Sequence, residues 1–408
     1  MRDAAPDMPL RRRLRQGRDR LATALITAGG IGVIAAVMAI GVFLAVEVLP
    51  LFWGGGPGGP EVDLETLWLP QSYPGLEAPA HRWQPTLPDS DPGPRFGMAP
   101  LAWGTLEAAA WSLLIAVPLA LGAAAHSALF MSRRLRTRLK PTLELMEALP
   151  GVVIGFVAGL VLAPWLERQL ALAATLVLLL PPGLLLAGGL RGALPGGLRR
   201  RLPLGWAALW LLPWVGLVAV LAAWLAPSLE AAWFGGDLRG WIETTLGLDY
   251  AGRNAVIVGM AMGFAVMPSI YALAEDALSG VPASLAEGAQ ALGATRWQTL
   301  WRVVLPAASP GVLSAVMIGA GRAVGETMIV LMASGNTALM TANPLDGLRS
   351  LAASIAIELP EAAPGGLHYR LLLLAALLLF VFTFLVNTLA EVVRSRLRRR
   401  YRRLGGAP

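Results

Sequence analysis

VPASLAEGAQALGATRWQTLWRVVLP, residues 281–306, lies between two long apolar segments, yet its pattern is that of two short helices joined by a turn. Pro282 suits the first turn of a helix, and Gly293 suits the turn that ends one. Thr295 and Gln298 form a T-x-x-Q capping box, which predicts the start of a second helix that ends at Pro306. The sequence therefore predicts a helix-turn-helix between two membrane spans.

The first of these helices has an apolar stripe, because Leu285, Ala289 and Leu292 recur at i, i+4 and i+7. A stripe of this kind fits an interfacial helix that lies on lipid. It fits equally well a helix that docks on a cytoplasmic partner. The residues of the stripe alone favour neither interpretation.

The rest of the chain is strongly apolar: 56% of its 408 residues are hydrophobic and 14% are charged. A soluble domain is typically about one quarter charged. A helix needs about 20 mostly apolar residues to cross the bilayer, and lipid requires its backbone groups to be bonded internally. We therefore predict an all-α polytopic membrane protein with eight transmembrane helices. The predicted spans are 21–48, 102–131, 147–166, 169–190, 203–227, 254–275, 308–335 and 370–390.

Arginines and lysines set the predicted orientation. They are concentrated in the tails 1–20 and 393–408 and in the loops after spans 2, 4 and 6, and they are sparse in the opposite loops. This asymmetry predicts a multi-pass inner-membrane protein with both termini in the cytoplasm. The net charge of +7 is then a topology signal, not a sign of nucleic-acid binding. We read 21–48 as a retained anchor and 49–100 as an irregular periplasmic loop with short helices.

Spans 4 and 5, residues 169–227, form a predicted in-and-out hairpin joined by a basic loop. Inserting or removing an even number of spans leaves the orientation of all later spans unchanged. The hairpin is therefore a candidate insertion in a six-span core within residues 101–392.

Two charged residues lie near the middle of span 7, where a charge costs at least ~2.5–3.5 kcal/mol. Arg322 and Glu326 are spaced i, i+4, which predicts that they share one helix face and can pair. One interpretation is a structural ion pair between helices. The other is an anion site on a transport path, since the planar guanidinium binds two phosphate oxygens at once.

The loop after span 6 resembles the E-A-A-x3-G-x9-I-x-L-P signature of the permeases of ABC importers. Glu287, Ala289 and Gly293 match at full spacing before Val303-Val304-Leu305-Pro306, with Gly288 in place of the middle Ala and Val303 in place of Ile. The resemblance implies a type I, MetI-like core of five to six helices plus the extra hairpin. It also implies that residues 281–306 form a coupling loop that docks on a cytoplasmic ATPase dimer. Its expected docking face is Glu287, Ala289, Leu292 and Gly293.

GRAVGETMIVLMASGN, residues 321–336, resembles the membrane subunits of the phosphate-specific importer, more the PstC type than the PstA type. Similar segments lie at 102–122 and 145–159, and the resemblance covers about 100–165 and 253–392. It implies that Arg322 and Glu326 line the path of phosphate, and we add the adjoining Thr327 as a candidate pathway residue. It also implies a PstA-type second permease subunit and a periplasmic phosphate-binding protein as partners.

The chain has no cysteine and no G-x-x-x-x-G-K-[ST] phosphate-binding loop, and its three histidines, His81, His126 and His368, stand far apart. We therefore expect no metal, no cofactor and no enzymatic activity in this chain, with ATP bound by the separate ATPase. Three alternatives stay open: a permease for another oxyanion or small solute, a stand-alone secondary transporter or channel, and a membrane enzyme. The docking-loop spacing argues against the stand-alone transporter, and no catalytic constellation supports the enzyme.

Overall fold

The computed structural model describes residues 8–53, 64–73, 78–85 and 95–404, with side chains described from residue 18 to residue 396. Within these ranges eight helices are long and apolar enough to cross a membrane, which confirms the predicted number of spans. Parts of both tails and the acidic residues Glu61, Asp63, Glu77, Asp89 and Asp91 of the first loop lie outside the described residues.

The spanning helices and the shorter elements between them follow in chain order. The first half contains α1 (Met8–Val48), α2 (Pro50–Trp53), α3 (Leu64–Trp68), β1 (Trp83–Gln84), β2 (Arg95–Phe96), α4 (Ala99–Leu129), α5 (Arg133–Glu147), α6 (Gly151–Val157), α7 (Ala163–Arg168), α8 (Leu170–Ala193) and α9 (Gly196–Arg201). The second half contains α10 (Ala207–Phe234), α11 (Leu238–Trp241), α12 (Ala255–Ser279), α13 (Ala283–Ala291), α14 (Arg296–Thr299), α15 (Leu305–Gly325), α16 (Met328–Ala333), α17 (Leu351–Glu358) and α18 (Leu367–Leu404). Wider π-helical turns join α6 to α7 and α14 to α15.

Helix α12 is the centre of the bundle. Two thirds of its most apolar window is buried, against a third or less for each of the other seven spans. It packs on α4 and on α15. The contact with α15 depends on Gly319, since a Cβ at that position would lie 2.4 Å from Ile270 Cγ1. Small residues of this kind let membrane helices approach closely.

Span 7 ends at Gly325, ten residues earlier than predicted, and this corrects two expectations. Helix α15 ends at Gly325, and Glu326 has an extended backbone (φ −70°, ψ 124°) before α16 begins. Glycine is a poor helix former, and Gly319, Gly321 and Gly325 weaken the last turns. Arg322 and Glu326 are therefore not stacked on one helix face, and the expected i, i+4 pair does not form.

Pro306 does not end the second helix of the loop, as the sequence had predicted. The chain stays helical from Arg296 to Gly325. The π-helical turn Leu300–Val304 comes directly before α15, and Pro306 falls in the first turn of that helix. A proline is tolerated inside this helix because the preceding π-helical turn already changes the backbone hydrogen-bond pattern.

Helices α8 and α10 form the predicted hairpin and pack chiefly on each other. Trp214 Nε1 donates a hydrogen bond to the Gly183 carbonyl at 2.8 Å. The hairpin touches the rest of the chain through single contacts, such as the 2.9 Å bond from Ser132 N to Gly205 O. This peripheral position agrees with an insertion, which stays a prediction.

The first loop, 49–100, contains the short helices α2 and α3, as predicted, and also the antiparallel strand pair β1–β2. Its Trp83 is buried and donates from Nε1 to Glu358 Oε1 at 2.9 Å. Glu358 also pairs with Arg349 and lies 2.7 Å from His368 Nε2. The described part of the loop is therefore attached to α17 and to the start of α18, and the strand pair in it was not predicted.

Helix α5 is attached to the C-terminal end of α12. The fully buried Glu275 accepts a hydrogen bond from Lys140 Nζ at 2.9 Å and pairs with Arg136. Burial of Lys140 opposes its charge, but the hydrogen bonds and charges of Asp276 and Glu275 outweigh burial and raise the Lys140 pKa above its ordinary value. This cluster fixes α12 four residues before it ends, directly ahead of α13.

Candidate functional site

Arg322 lies in the last turn of α15 and is held by two residues from other helices. Its Nη1 donates to Glu147 Oε1 at 2.7 Å and to Ser269 Oγ at 2.6 Å. Ser269 Oγ in turn donates to the same Glu147 oxygen at 2.9 Å. One carboxylate oxygen, one hydroxyl and one guanidinium nitrogen thus form a closed triangle, which we call the Arg322 triad.

The triad is only partly buried within this chain. The side chains of Arg322 and Glu147 are 33% and 44% exposed, and Ser269 is 7% exposed. Among the described residues, no group accepts a hydrogen bond from Arg322 Nε or Nη2. The guanidinium is therefore fixed through one nitrogen and has donors left for an anion.

The sequence did not single out Glu147 or Ser269. Glu147 is the last residue of α5 and stands 175 positions before Arg322. The only signal for Glu147 was an acidic residue at the edge of an apolar span. Ser269 stands between Pro268 and Ile270 in a mostly apolar stretch of α12. Neither pattern indicates that the two side chains converge on Arg322.

Glu326 lies beside the start of α6 and forms no ion pair with Arg322 among the described residues. A Cβ added at Gly151 would be 2.9 Å from Glu326 Oε1, which places the carboxylate against the first turn of a continuous helix from Gly151 to Arg168. Free backbone N–H groups at a helix start favour a negative charge. Thr327 Oγ1 donates to the Gly325 carbonyl at 3.3 Å, so this hydroxyl satisfies the end of α15.

The predicted helix-turn-helix of residues 281–306 is present. Gln298 N donates to Thr295 Oγ1 at 3.2 Å and Thr295 N donates to Gln298 Oε1 at 2.8 Å, which confirms the capping box. Gly293 has φ +91°, a left-handed conformation that side chains with a Cβ rarely adopt. The turn between α13 and α14 therefore requires glycine.

The four residues of the expected docking face lie at the surface, with Ala289 the least exposed of them. Leu292 is 92% exposed, and it lies just beyond α13 rather than on it. The apolar stripe is thus carried by Leu285 and Ala289 on the helix and continued by Leu292 in the turn. No residue of α13 is buried within the chain.

Comparison with known proteins gives one family match that includes both the Arg322 triad and the coupling loop. The model of the family described as "Binding-protein-dependent transport system inner membrane component" matches residues 116–402. The probable ABC transporter permease protein YqgH of Bacillus subtilis is 26% identical over 385 residues, covering 94% of this chain and 93% of the relative.

Two further relatives are phosphate transport system permease proteins. PstC 1 of Mycobacterium tuberculosis is 28% identical over 310 residues, or 75% of each chain. PstC of Pasteurella multocida is 34% identical over 176 residues, covering 43% of this chain and 53% of the relative.

Proposed function

Because this chain belongs to the family of binding-protein-dependent transport system inner membrane components, we propose that it is a permease subunit of an ATP-driven importer of inorganic phosphate. The Arg322 triad is the observation that carries the choice of an oxyanion as cargo. The names of the PstC relatives support phosphate among the oxyanions. The chain would form half of the path through the inner membrane, with both termini in the cytoplasm.

The geometry of the triad suits a tetrahedral oxyanion. Glu147 and Ser269 occupy Nη1 of Arg322, which leaves Nε and Nη2 to donate to two oxygens of one phosphate. The Glu147 carboxylate has the same sign of charge as the cargo and lies beside it. Glu147 therefore balances the charge of Arg322 when no phosphate is present. When phosphate is bound, repulsion from Glu147 lowers the affinity of the site for phosphate. Weak binding of phosphate at the triad favours its release into the cell. The permease can bind phosphate weakly because a periplasmic binding protein captures it first.

The coupling loop is the proposed contact surface for the cytoplasmic ATPase. A leucine with 92% of its surface exposed is costly in water, because it leaves an apolar side chain unburied. A groove on a cytoplasmic ATPase would bury Leu292 together with Leu285, and Glu287 would lie at the rim. An ATPase dimer, a second permease subunit and a phosphate-binding protein are the proposed partners, and ATP would be bound by the ATPase alone.

Helix α5 offers a physical link between the coupling loop and the triad. One end is fastened to α12 directly before α13, through Arg136 and Lys140 on Glu275. Glu147 is the last residue of the helix, about 16.5 Å along it from Arg136 and about 10.5 Å from Lys140 at 1.5 Å per residue. A movement of α13 that shifts the end of α12 would thus move Glu147 relative to Arg322.

Reconstitution tests the function and its cargo. The chain is placed in liposomes with its ATPase, its second permease subunit and the binding protein, and uptake of labelled phosphate is measured. We expect ATP-dependent phosphate uptake, and at least tenfold less uptake of sulfate or molybdate at equal concentration. Preferred uptake of another oxyanion would identify that anion as the cargo, and phosphate uptake without ATPase would indicate a stand-alone transporter.

Glu147→Gln is expected to bind phosphate more tightly and to turn over more slowly. The variant removes the negative charge next to the cargo but keeps a side chain that can accept from Arg322. We expect KM to fall about tenfold, which corresponds to about 1.4 kcal/mol, and kcat to fall as release slows. Initial rates of uptake in the reconstituted complex measure both constants.

Glu144→Gln is the matched control, because Glu144 is exposed on the same helix and belongs to no ion pair of the described residues. It should leave both constants unchanged. A rise in KM for Glu147→Gln would mean that Glu147 only positions Arg322 and does not compete with phosphate.

A further inference from the structure

A cavity of about 320 Å³ opens between α8 and α10, at the end of the hairpin where α9 joins them. Its walls are apolar or aromatic, apart from one charged side chain. The apolar and aromatic walls include Leu190, Leu194, Leu217, Trp210 and Trp214. The charged side chain that lines the cavity is Arg191. The cavity is remote from the Arg322 triad and belongs to the part of the chain that packs mostly on itself.

The charge around this cavity is entirely positive. Residues 169–229 contain no aspartate, glutamate, lysine or histidine, and their four arginines all lie between positions 191 and 201. Arg199, Arg200 and Arg201 form the exposed last turn of α9. Arg191 pairs with no acidic group among the described residues, so nothing described in the hairpin neutralises these charges.

Arg191 is held in place at the cavity. Its Nε donates to the Leu202 carbonyl at 2.7 Å, and Leu202 itself lines the cavity. This bond leaves the two Nη groups of the guanidinium available. A topology signal needs only the presence of arginines in a loop. It does not need a guanidinium fixed beside an apolar cavity.

We propose that the hairpin binds an anionic phospholipid at this cavity. The lipid phosphate would accept from Arg191, with the α9 arginines adding charge, and an acyl chain would lie against Leu190, Leu194 and Leu217. Basic pockets between membrane helices bind anionic headgroups in this way. Free phosphate is a poorer fit, because the remaining walls give an inorganic anion nothing but apolar contact. The site is independent of the cargo of the permease.

Native mass spectrometry of the purified full-length chain in detergent tests the proposal. The chain is titrated with phosphatidylglycerol and, separately, with phosphatidylcholine that has the same acyl chains. We expect phosphatidylglycerol to bind at least five times more tightly, and 10 mM inorganic phosphate not to displace it. Equal affinity for the two lipids, or displacement by phosphate, would overturn the proposal.

Two pairs of variants separate the headgroup from the acyl chain. Arg199→Gln, Arg200→Gln and Arg201→Gln together should lower the affinity for phosphatidylglycerol about tenfold, whereas the same change at the exposed Arg133, Arg134 and Arg138 of α5 should not. Leu190→Trp fills the cavity and should weaken binding of both lipids, whereas Leu186→Trp, exposed on the same helix outside the cavity, should not. A site elsewhere would respond equally to both members of each pair.

Discussion

Arg322→Gln is expected to reduce phosphate uptake by the reconstituted transporter at least about 100-fold, while the complex still assembles. The variant removes the only charge in the triad that attracts an anion. Each hydrogen bond to a charged group contributes about 1.5–3 kcal/mol, so that two lost bonds correspond to a factor of 100 or more. Glutamine can still donate to Ser269 or Glu147, and Glu147 is 44% exposed, which lets water solvate the carboxylate left behind. Uptake of labelled phosphate and co-purification of the ATPase measure the two effects separately.

Two further variants distinguish a transport role from a structural ion pair. If Arg322 and Glu147 only locked α15 to α5, the double variant Arg322→Gln, Glu147→Gln would restore uptake, since no unpaired charge remains. We expect the double variant to stay inactive. Arg239→Gln is the matched control, because Arg239 forms a comparably exposed ion pair with Glu167 at the edge of the hairpin. It should retain nearly normal uptake.

The features that follow from local pattern were predictable. Eight apolar segments gave eight spans, and Thr295, Gln298 and Gly293 gave the caps and the turn of the coupling loop. These signals act over three to five residues or over one uninterrupted apolar run. They therefore need no knowledge of which helices are neighbours.

The features that depend on helix neighbours were not predictable. Glu147 reaches Arg322 from 175 positions away, and only the packing of α5 and α15 around α12 brings the two together. The end of α15 at Gly325 was missed for a related reason. An apolar run continues through Ile329 and Val330, so that hydropathy indicates one long span. The break brings the Glu326 carboxylate next to the start of α6, a neighbour that the sequence does not reveal.

At Pro306 the error is the opposite one, because the sequence predicts the end of a helix where the helix continues. Proline commonly ends a helix because it lacks a backbone donor. Here the π-helical turn Leu300–Val304 precedes it, and the helix continues into α15. The consequence bears on mechanism: α14 and α15 form one continuous helix from the coupling loop to Arg322. A force on α13 is therefore applied to the base of the helix that carries the triad arginine.

Gly293→Val is expected to uncouple ATP hydrolysis from transport. A β-branched residue at φ +91° costs about 1–3 kcal/mol in backbone strain. The turn can relieve that strain by moving to negative φ, which changes the angle between α13 and α14. Helix α13 would still dock on the ATPase. Its movement would no longer be transmitted to the continuous helix formed by α14 and α15. We expect ATP hydrolysis within about twofold of normal and phosphate uptake at least tenfold lower, measured as phosphate imported per ATP hydrolysed in proteoliposomes.

Gly365→Val is the control that separates uncoupling from strain. Gly365 also has a left-handed backbone, with φ +76°, and like Gly293 it has no atom within 4 Å of an added Cβ. It lies between α17 and α18, at the end of the bundle that holds Trp83 and Glu358. The same substitution there introduces similar strain away from the coupling loop, so that the ratio of imported phosphate to hydrolysed ATP should stay normal. An equal loss of that ratio in both variants would mean that Gly293 matters for stability alone, and would remove residues 281–306 from the coupling mechanism.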